Sequence, residues 1–392
     1  MLPRKLRLAV IASHPIQYQS PLFRTLAEQV ELRVFYCWNP SATDATDPEF
    51  GRSVTWDIPL LEGFDYEFVR NVTLKPGSAS YGGLFNPEMP GRIVSWRPDA
   101  VLIQGYSHAT FQLAALALKS ARIPLIFRGE SNLLNRRQWT TRVIKNLTVR
   151  PFLALFDACC AIGSANRDYL VHYGVDPRRI FHSPYSVDNL FFQMASRNAS
   201  TQRDTTRASL GIGPAETVFL FVGKLIPKKG CADLIEAFTR RPMSDTQLII
   251  VGDGPERREL EASVQGRARE IHFVGFKNQS ELPTWYAAAD VFVIPSLFEP
   301  WGLVVNEAMN YGLPLICSNE VSSAFDLVDA SNGWRFPAGD VGRLSNALSE
   351  AASTNGLSQM GIRSRERIEN WGISETAAGI REAAEFSVRA AT

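Results

Sequence analysis

Short apolar runs alternate with helix-length segments along most of this chain, and this alternation limits its fold more than any other feature. The runs of the first half are Leu6–Ile11, Leu32–Cys37, Ala100–Ile103, Leu125–Phe127 and Ala158–Ile162, with helical segments at Pro21–Gln29 and Thr110–Ser120. Those of the second half are Val218–Val222, Gln247–Val251, Ile271–Val274, Val291–Ile294 and Pro314–Cys317, with helices predicted at Cys231–Arg240, Glu256–Val264 and Leu303–Asn310. Strand, helix and strand in this order predict an α/β protein with parallel, doubly wound sheets covered by helices on both faces.

The 392 residues are too many for one ordinary domain, so the chain is predicted to form two Rossmann-like domains. We assign residues 1–195 to the first and residues 207–370 to the second. The polar stretch 196–206 lacks periodicity and is interpreted as a linker, and the region from Asn39 to Asn86 as an irregular insertion. Ligands of open parallel sheets bind beyond the carboxyl ends of the strands, so a site is expected in a cleft that both domains face.

The composition indicates a globular protein and argues against several kinds of partner. Hydrophobic residues make up 45% and charged residues 21%, and the formal net charge of +1 gives no overall attraction to nucleic acid. The five cysteines are odd in number and show no CxxC spacing, which argues against a disulfide framework or a zinc site and fits a reducing compartment. The first apolar run is too short for a signal peptide, and no run reaches the ~20 residues of a membrane span. We therefore expect a cytoplasmic protein.

Two loops carry the strongest chemical signals, and the first spans Gly223 to Gly230 (GKLIPKKG). It joins a predicted strand to an amphipathic helix, where glycines allow close backbone approach and the free N–H groups of the helix start favour an anion. Lys224 and Lys229 flank that point, which suggests that the loop binds a diphosphate. An ordinary surface loop with solvated lysines is the alternative, and the loop alone does not decide between the two.

The second loop and its helix, residues 295–309 (PSLFEPWGLVVNEAM), carry two carboxylates with seven residues between them. Glu299 is predicted on the loop and Glu307 on the helix, where each could accept hydrogen bonds from vicinal sugar hydroxyls. The backbone N–H groups of Gly302 and Leu303 are expected to be free at the helix start. Two surface glutamates are the alternative, although Glu307 lies on an otherwise apolar face and would need a partner if buried. A glycoside hydrolase also uses two carboxylates, but it does not explain the lysines of the first loop.

Both motifs resemble the donor-site signatures of retaining glycosyltransferase family 4, whose members have the GT-B fold of two Rossmann-like domains facing each other across a cleft. Further segments resemble this family in order and spacing: Val251–Pro255 (VGDGP), Phe273–Phe276 (FVGF), Leu282–Val291 (LPTWYAAADV) and Ile180–Asp188 (IFHSPYSVD), the last standing where the family has I-P-N-G-V-D. The resemblance extends from about residue 157 to residue 376 and is weak before that. It implies that residues 1–195 form the acceptor-side domain, that residues 207–370 form the donor domain, and that residues 371–392 hold a last helix that crosses back to the first domain.

The resemblance also implies roles for matching residues of the second half. They share an assignment to the nucleotide-sugar donor: Gly223, Lys224 and Lys229 at its diphosphate, Gly275 and Phe276 at its base, Glu307 at its ribose, and Gly302, Leu303 and Glu299 at its sugar and phosphate oxygens.

The first half departs from the family pattern at two strand ends. Many members carry a Gly-Gly pair after the first strand, where this chain has Ser13 to Pro21 (SHPIQYQSP). Many also carry a histidine that faces the donor sugar, and the corresponding residue here is Arg128. The candidate catalytic residues of this half are therefore His14, His108, Arg128 and Glu130, because loops at strand ends often carry function.

Each of these four residues has a structural alternative. Arg128 could bind sugar hydroxyls or an anionic group of the acceptor, with Glu130 orienting it or accepting from the acceptor hydroxyl. The two could instead form a surface ion pair worth at most ~1 kcal/mol. His14 could be a turn residue bonded to backbone, and His108 could cap the helix that follows it.

Residues 136–150 form a basic segment in which Trp139, Val143 and Leu147 recur near helical spacing between cations. Such a helix can lie on an anionic membrane, each cation adding ~1 kcal/mol near the surface. It can also pack on its own domain with its charges solvated, which is the more common arrangement. The first interpretation predicts a weak peripheral contact at the inner face of the membrane.

The sequence thus predicts an enzyme that moves a hexosyl residue from a nucleoside diphosphate sugar to an acceptor hydroxyl with retention of anomeric configuration. A UDP-sugar is favoured over a GDP-sugar as the donor, no metal or other cofactor is required, and the acceptor is a glycan, a lipid-linked molecule or a small molecule. A nucleotide-sugar epimerase, a glycoside phosphorylase or a binding protein that has lost catalysis would share the architecture and stays open. A Rossmann dehydrogenase is disfavoured because no GxGxxG motif opens either half.

Overall fold

The computed structural model of this chain describes residues 4–40, 57–134, 139–240, 243–264, 266 and 270–391. The chain divides into two compact units. The first unit runs to Tyr185 and also contains the residues from Ile373 onward, and the second runs from Ser186 to Gly372 and also contains Asp57 and Ile58. The sequence placed the boundary between the domains at residue 195. In the structure it lies earlier, between Tyr185 and Ser186.

The first unit is built around a parallel sheet. Its strands are β1 Arg7–Ala12, β2 Glu31–Tyr36, β3 Asp65–Phe68, β4 Ala100–Gln104, β5 Leu125–Arg128, β6 Ala158–Ala161 and β7 Ile180–His182. They lie in the order β3-β2-β1-β4-β5-β6-β7, and every pair is parallel. The central strands are buried on both faces, which explains why they appear in the sequence as nearly continuous apolar runs.

Helices cover both faces of this sheet. In chain order they begin with α1 Ser20–Gln29, α2 Met89–Trp96, α3 Ala109–Ser120, α4 Trp139–Leu153 and α5 Ser164–His172. Successive residues of a strand point to opposite faces. Ala9 and Ile11 of β1 accordingly lie in the hydrophobic core that contains residues of α3, α4 and α5, whereas Leu8 and Val10 lie in the core on the α1 face.

The second unit repeats this architecture. Its strands are β8 Thr217–Val222, β9 Thr246–Val251, β10 Ile271–Gly275, β11 Val291–Ile294, β12 Leu315–Ser318 and β13 Gly333–Phe336, in the order β10-β9-β8-β11-β12-β13 and all parallel. Its helices are α6 Asn189–Ser200, α7 Arg203–Ser209, α8 Cys231–Arg240, α9 Arg257–Ser263, α10 Leu282–Ala288, α11 Leu303–Asn310, α12 Ala324–Leu327, α13 Val341–Ser353 and α14 Leu357–Ile368. The predicted fold class, two Rossmann-like domains with parallel sheets, is confirmed.

The last helix, α15 Ile373–Ala391, belongs to the first unit. It packs against α1 and along β6 and β7, and its residues Ile380 and Ala384 are completely buried in the core on that face of the first sheet. The packing is close at Gly379, which lies against the carbonyl oxygen of His182 with no room for a Cβ. The hydroxyl of Thr376 donates to the carbonyl oxygen of Pro184 at 2.7 Å, so α15 also fixes the segment that follows β7.

The prediction of a linker at residues 196–206 is wrong, because the end of α6 and the start of α7 occupy this stretch. One charge of this polar stretch, on Arg203, is used inside the second unit. The guanidinium of Arg203 donates to Asp290 at 2.5 Å and to the carbonyl oxygens of Ala287 and Ala289 at 2.7 Å each. The interpretation of residues 39–86 as irregular is wrong at Asp65–Phe68, which forms β3.

Candidate active site

The two predicted donor loops follow neighbouring strands of the second sheet. The first, residues 223–230, leaves the carboxyl end of β8, and the second, residues 295–302, leaves the carboxyl end of β11. These strands pair directly, and the strand order reverses between them, with β9 beyond β8 and β12 beyond β11. Ligands of open α/β sheets bind at such a reversal point, so both motifs lie where this fold places its ligand.

The first loop packs so closely on the second that glycine is required. Gly230 has a φ of +67°, and a Cβ at this residue would lie 2.5 Å from the carbonyl oxygen of Pro295. The N–H of Leu297 donates to the carbonyl oxygen of Lys228 at 2.9 Å. The backbones of the two loops are therefore held against each other, and α8 begins directly after the first loop.

Lys229 and Glu299 join the loops through their side chains. The ammonium of Lys229 donates to Oε1 of Glu299, and the hydroxyl of Ser296 donates to the same oxygen at 3.2 Å. Glu299 is 7% exposed, and its N–H donates to the carbonyl oxygen of Glu320 at 2.9 Å. The structure thus brings together two side chains that the sequence assigned to different parts of the donor. Lys224, at the start of the first loop, is partly buried.

Glu307 is a buried carboxylate with a specific partner. It is 1% exposed, and the hydroxyl of Tyr286 in α10 donates to its Oε2 at 2.6 Å. Burial, and after it Glu307, raises the pKa of the neighbouring Tyr311 phenol, so this group stays protonated. The alternative of two surface glutamates is wrong, because both carboxylates are buried.

The start of α11 exposes backbone donors beside these carboxylates. Gly302 precedes the helix with a φ of +92°, a conformation that favours glycine. Leu303 is the first helical residue, and the N–H of a first helical residue has no partner within its helix. The starts of α8 and α11 both favour negative charge, as a diphosphate site needs.

Gly275 and Phe276, the predicted neighbours of the base, lie at the same edge of the sheet. Gly275 ends β10 with a φ of +76°, and its carbonyl oxygen accepts from the N–H of Gly252 at 2.9 Å. Gly252 follows β9 and in turn lies directly against the carbonyl oxygen of Gly223. These backbone contacts connect the predicted base region to the first loop. Phe276 is partly buried.

The candidate residues of the first unit follow three adjacent strands. His14 follows β1, His108 follows β4, and Arg128 and Glu130 lie at and just beyond the end of β5. The strand order of this sheet reverses between β1 and β4, so the two histidines flank its reversal point. Nδ1 of His14 lies 3.0 Å from the hydroxyl of Ser13, and its ring lies 5.6 Å from that of Trp38.

His108 is buried and does not cap α3. It is 6% exposed, and its Nδ1 lies 3.1 Å from the carbonyl oxygen of Ser80. The side chain makes no capping hydrogen bond to the helix that follows, so the predicted capping role is wrong. Burial lowers the pKa of His108 and outweighs the opposing effect of the Ser80 carbonyl.

Arg128 and Glu130 do not form the surface ion pair that was the alternative. Arg128 is 6% exposed, and Glu130 accepts instead from the hydroxyl of Tyr185 at 2.5 Å. The guanidinium of Arg128 lies over the ring of Tyr185, 4.9 Å from its centroid. Tyr185 was not predicted as a site residue. The signal that could have found it is its place in IFHSPYSVD, where the chain departs from the family motif.

The basic segment 136–150 forms most of α4. Residues 136–138 lie outside the described residues, as do the side chains of Trp139 and Val143. Val149 is buried in the core of the first unit, whereas Ile144 and Leu147 are 61% and 72% exposed. The helix therefore packs on the first unit through Val149, and it exposes the apolar side chains of Ile144 and Leu147 at the surface. No helix in the described parts of the chain is long and apolar enough to span a membrane.

The described residues contain no group of three or more His, Cys, Asp or Glu side chains placed to hold a metal ion. The five cysteines are buried with free thiols. Positive charge at the second-unit site is supplied by the lysines of the first loop.

Two family models match the chain, one on each half. The model described as Glycosyltransferase Family 4 matches residues 22–189, and the model described as Glycosyl transferases group 1 matches residues 202–370. A D-inositol 3-phosphate glycosyltransferase of Rhodococcus opacus is 27% identical over 367 residues, which cover 83% of this chain and 78% of that protein. The order and extent of these matches agree with the division into two α/β units.

Several solved structures have the same fold as this chain, and two of them illustrate the likeness. Sucrose-phosphate synthase from Thermosynechococcus elongatus superposes with a TM-score of 0.73 at 20% identity, covering 99% of this chain and 100% of that one. Anabaena HepE in complex with UDP and glucose superposes with a TM-score of 0.68 at 18% identity, covering 96% of this chain and 98% of that one. At these identities the likeness establishes the GT-B type of fold and nothing finer.

Proposed function

Because the chain belongs to glycosyltransferase family 4, we propose that it transfers a hexosyl residue from a UDP-sugar to an acceptor hydroxyl with retention of anomeric configuration. The observation that carries this proposal is the contact between Lys229 and Glu299 at the reversal point of the second sheet. It holds a cation suited to a diphosphate beside a carboxylate suited to a sugar hydroxyl. Two helix starts flank the same point.

The donor occupies the second unit in this proposal. Lys224 and Lys229 bind the diphosphate, together with the N–H groups near Gly302 and Leu303. Glu307, held by Tyr286, accepts from the ribose hydroxyls. Glu299 accepts from the sugar, Gly223 allows the first loop to approach the diphosphate closely, and the base lies near Gly275 and Phe276. UDP is preferred to GDP, and the UDP and glucose bound by the similarly folded HepE support this choice.

Catalysis depends on charge that develops on the leaving diphosphate. The bond between the anomeric carbon and the diphosphate breaks, and a bond to the acceptor oxygen forms on the same face of the sugar. The acceptor proton passes to the departing phosphate oxygen. Fixed cations and helix N–H groups stabilise this charge without reorganising, so the reaction needs no metal or cofactor and no general base from the protein.

The acceptor binds at the carboxyl edge of the first sheet. His14 and His108 flank the reversal point of that sheet, and Arg128 and Glu130 follow the next strand. A glycan, a lipid-linked molecule or a small molecule fits this role, and the similarity to a D-inositol 3-phosphate glycosyltransferase supports a hydroxyl acceptor.

Calorimetry with UDP and GDP, followed by incubation with a panel of UDP-hexoses, tests the proposal. We expect UDP to bind more tightly than GDP, and one UDP-hexose to be hydrolysed slowly in the absence of an acceptor. Conversion of the donor to an isomer without release of UDP would indicate an epimerase, and release of a sugar phosphate from a glycoside would indicate a phosphorylase. Tight binding of UDP-sugars with neither transfer nor hydrolysis would indicate a binding protein.

A weak contact of α4 with an anionic membrane is a second, separate proposal. The exposed Ile144 and Leu147 flank Lys145, and Arg150 is also exposed. Apolar side chains next to cations favour an anionic lipid surface. The protein should float with phosphatidylglycerol vesicles and not with phosphatidylcholine vesicles, and Leu147→Ser should reduce flotation. Equal flotation with both kinds of vesicle would contradict the contact.

A further inference from the structure

The carboxyl end of β5 holds a buried cation whose charge the chain does not balance. Arg128 is 6% exposed, and its Nη2 lies 3.5 Å from the carbonyl oxygen of Ser183 and 3.3 Å from that of Pro184. Both distances are long for hydrogen bonds from a charged donor. None of the carboxylates in the described parts of the chain lies within ion-pair distance of this guanidinium. A buried charge without a counter-charge is costly and calls for a partner.

Arg128 also has donors that it does not use. A guanidinium carries five N–H groups, and the hydrogen bonds that it makes to described residues come from Nη2 alone. Its Nε is buried without a partner, and so is Nε2 of Gln104. Gln104 ends β4 and lies opposite Arg128 in the strand register, so the two side chains point to the same face of the sheet. Two neighbouring strand ends therefore present unsatisfied nitrogen donors side by side.

Tyr185 determines which side of the guanidinium is available. Its ring covers one face of Arg128, and its hydroxyl donates to Glu130. Burial, and after it Glu130, raises the pKa of the Tyr185 phenol, so the hydroxyl stays protonated and keeps donating. The nearby carboxylate of Glu130 is thus held by Tyr185 and does not neutralise Arg128. The N–H groups of Nε and Nη1 make no hydrogen bond to a described residue and are left for a ligand.

We infer that Arg128 and Gln104 bind an anionic group of the substrate, a carboxylate or a phosphate, and that Tyr185 and Glu130 position Arg128 for this contact. A neutral sugar hydroxyl would accept one hydrogen bond and leave the buried charge unbalanced. A carboxylate or phosphate has several acceptor oxygens, so it can accept from both Arg128 and Gln104, and it also balances the charge of the guanidinium. The inference rests on the proposed function, because it assigns the anion either to the donor sugar or to the acceptor.

Arg128→Met, which removes the charge at similar length, tests the inference. Binding of UDP, UDP-glucose and UDP-glucuronic acid is measured by calorimetry, and thermal unfolding is measured with saturating UDP and increasing inorganic phosphate. If the donor carries the anion, the wild type binds UDP-glucuronic acid at least tenfold more tightly than UDP-glucose, and Arg128→Met removes the difference. If the acceptor carries it, the two donors bind alike, and phosphate stabilises the wild type but not the variant.

Arg167→Met replaces an exposed arginine of the same unit and is the matched control, for which both ligand responses should stay as in the wild type. UDP affinity should be the same in the wild type, in Arg128→Met and in Arg167→Met. A wild-type protein that does not bind UDP would contradict the proposed function and not this inference.

The unliganded Arg128→Met protein should be at least as stable as the wild type, because a charge without a partner is removed. If it fails to fold, Arg128→Lys, which keeps the charge, should retain part of the anion response. Equal anion responses in Arg128→Met and the wild type would overturn the inference.

Discussion

The ammonium of Lys229 contacts the carboxylate of Glu299 across 70 positions of the sequence. This ion pair joins the loop after β8 to the loop after β11, and the backbone bond between Leu297 and Lys228 supports it. Both loops are therefore positioned before any ligand binds. Preorganised charges at a binding site do not have to be ordered when the ligand arrives, which favours tight binding.

Lys229→Ala should weaken UDP binding by at least tenfold, equivalent to about 1.4 kcal/mol of binding free energy. The variant removes the cation at the start of α8 and leaves Glu299 without its charged partner. Calorimetry with UDP measures the effect, and circular dichroism should show an unchanged fold. Lys228→Ala, which removes the exposed neighbouring lysine, is the matched control and should change UDP affinity little. Equal affinities for Lys229→Ala and the wild type would show that the diphosphate binds elsewhere.

Glu307→Gln and Glu299→Ala should fail in different ways. Glu307 is assigned to the ribose, so Glu307→Gln should weaken binding of UDP itself, although the amide can still accept from Tyr286. Glu299 is assigned to the sugar, so Glu299→Ala should lower kcat and leave UDP affinity nearly unchanged, because the backbone bond between Leu297 and Lys228 still holds the first loop in place. Calorimetry and steady-state kinetics separate the two effects. If both variants lose the same affinity for UDP, the assigned roles are divided incorrectly.

Gly379→Ala should destabilise the protein by about 2 kcal/mol or more, because the added Cβ would overlap the backbone oxygen of His182. Urea unfolding measures the change. Gly91→Ala is the matched control, since Gly91 also lies in a helix but has open space around it. Removing that helical glycine should stabilise the protein by about 0.5–1 kcal/mol. Similar effects of the two substitutions would mean that α15 does not pack closely on β7.

Stability should fall as the pH drops from about 7 to about 5. Burial lowers the pKa of both His108 and His272 below the ordinary value of about 6.5. The unfolded chain then binds protons before the folded one does, so stability from the neutral rings is present above about pH 6.5 and is lost progressively below it. Urea unfolding of the double variant His108→Gln/His272→Gln should show a smaller fall than the wild type. The exposed His172→Gln is the control, and a double variant with the wild-type slope would contradict the assignment.

The sequence predicted those parts of the fold that are buried on both faces. The apolar runs at β1, β4 and β8 are recognisable because parallel central strands exclude water on each side. Asp65–Phe68 escaped prediction because β3 lies at the sheet edge, where its residues stay exposed or half-buried and its pattern is polar. The stretch 196–206 resembles a linker in sequence because it is polar, although its Arg203 pairs with Asp290, which is distant in the sequence.

The residues of the candidate site also differ in whether the sequence alone could predict them. Lys229, Glu299 and Glu307 could be named from local motifs, because each lies on a loop or helix whose sequence carries its own signal. The contact between Arg128 and Tyr185 could not be predicted from local motifs, since it depends on how β5 and the segment after β7 come together. Single-sequence patterns report short-range geometry, whereas this contact requires the tertiary fold.

The helix α15 completes the first unit, although most of that unit is encoded before residue 186. During synthesis the early strands therefore leave the ribosome while Ile126 of β5 and Ala158 of β6 lack the helix that packs on their face of the sheet. The whole second unit must be translated before Ile380 and Ala384 can reach them. The early strands thus expose apolar surface for the time needed to make almost two hundred further residues, so we expect nascent chains that stop short of residue 373 to bind chaperones that recognise unfolded, apolar segments.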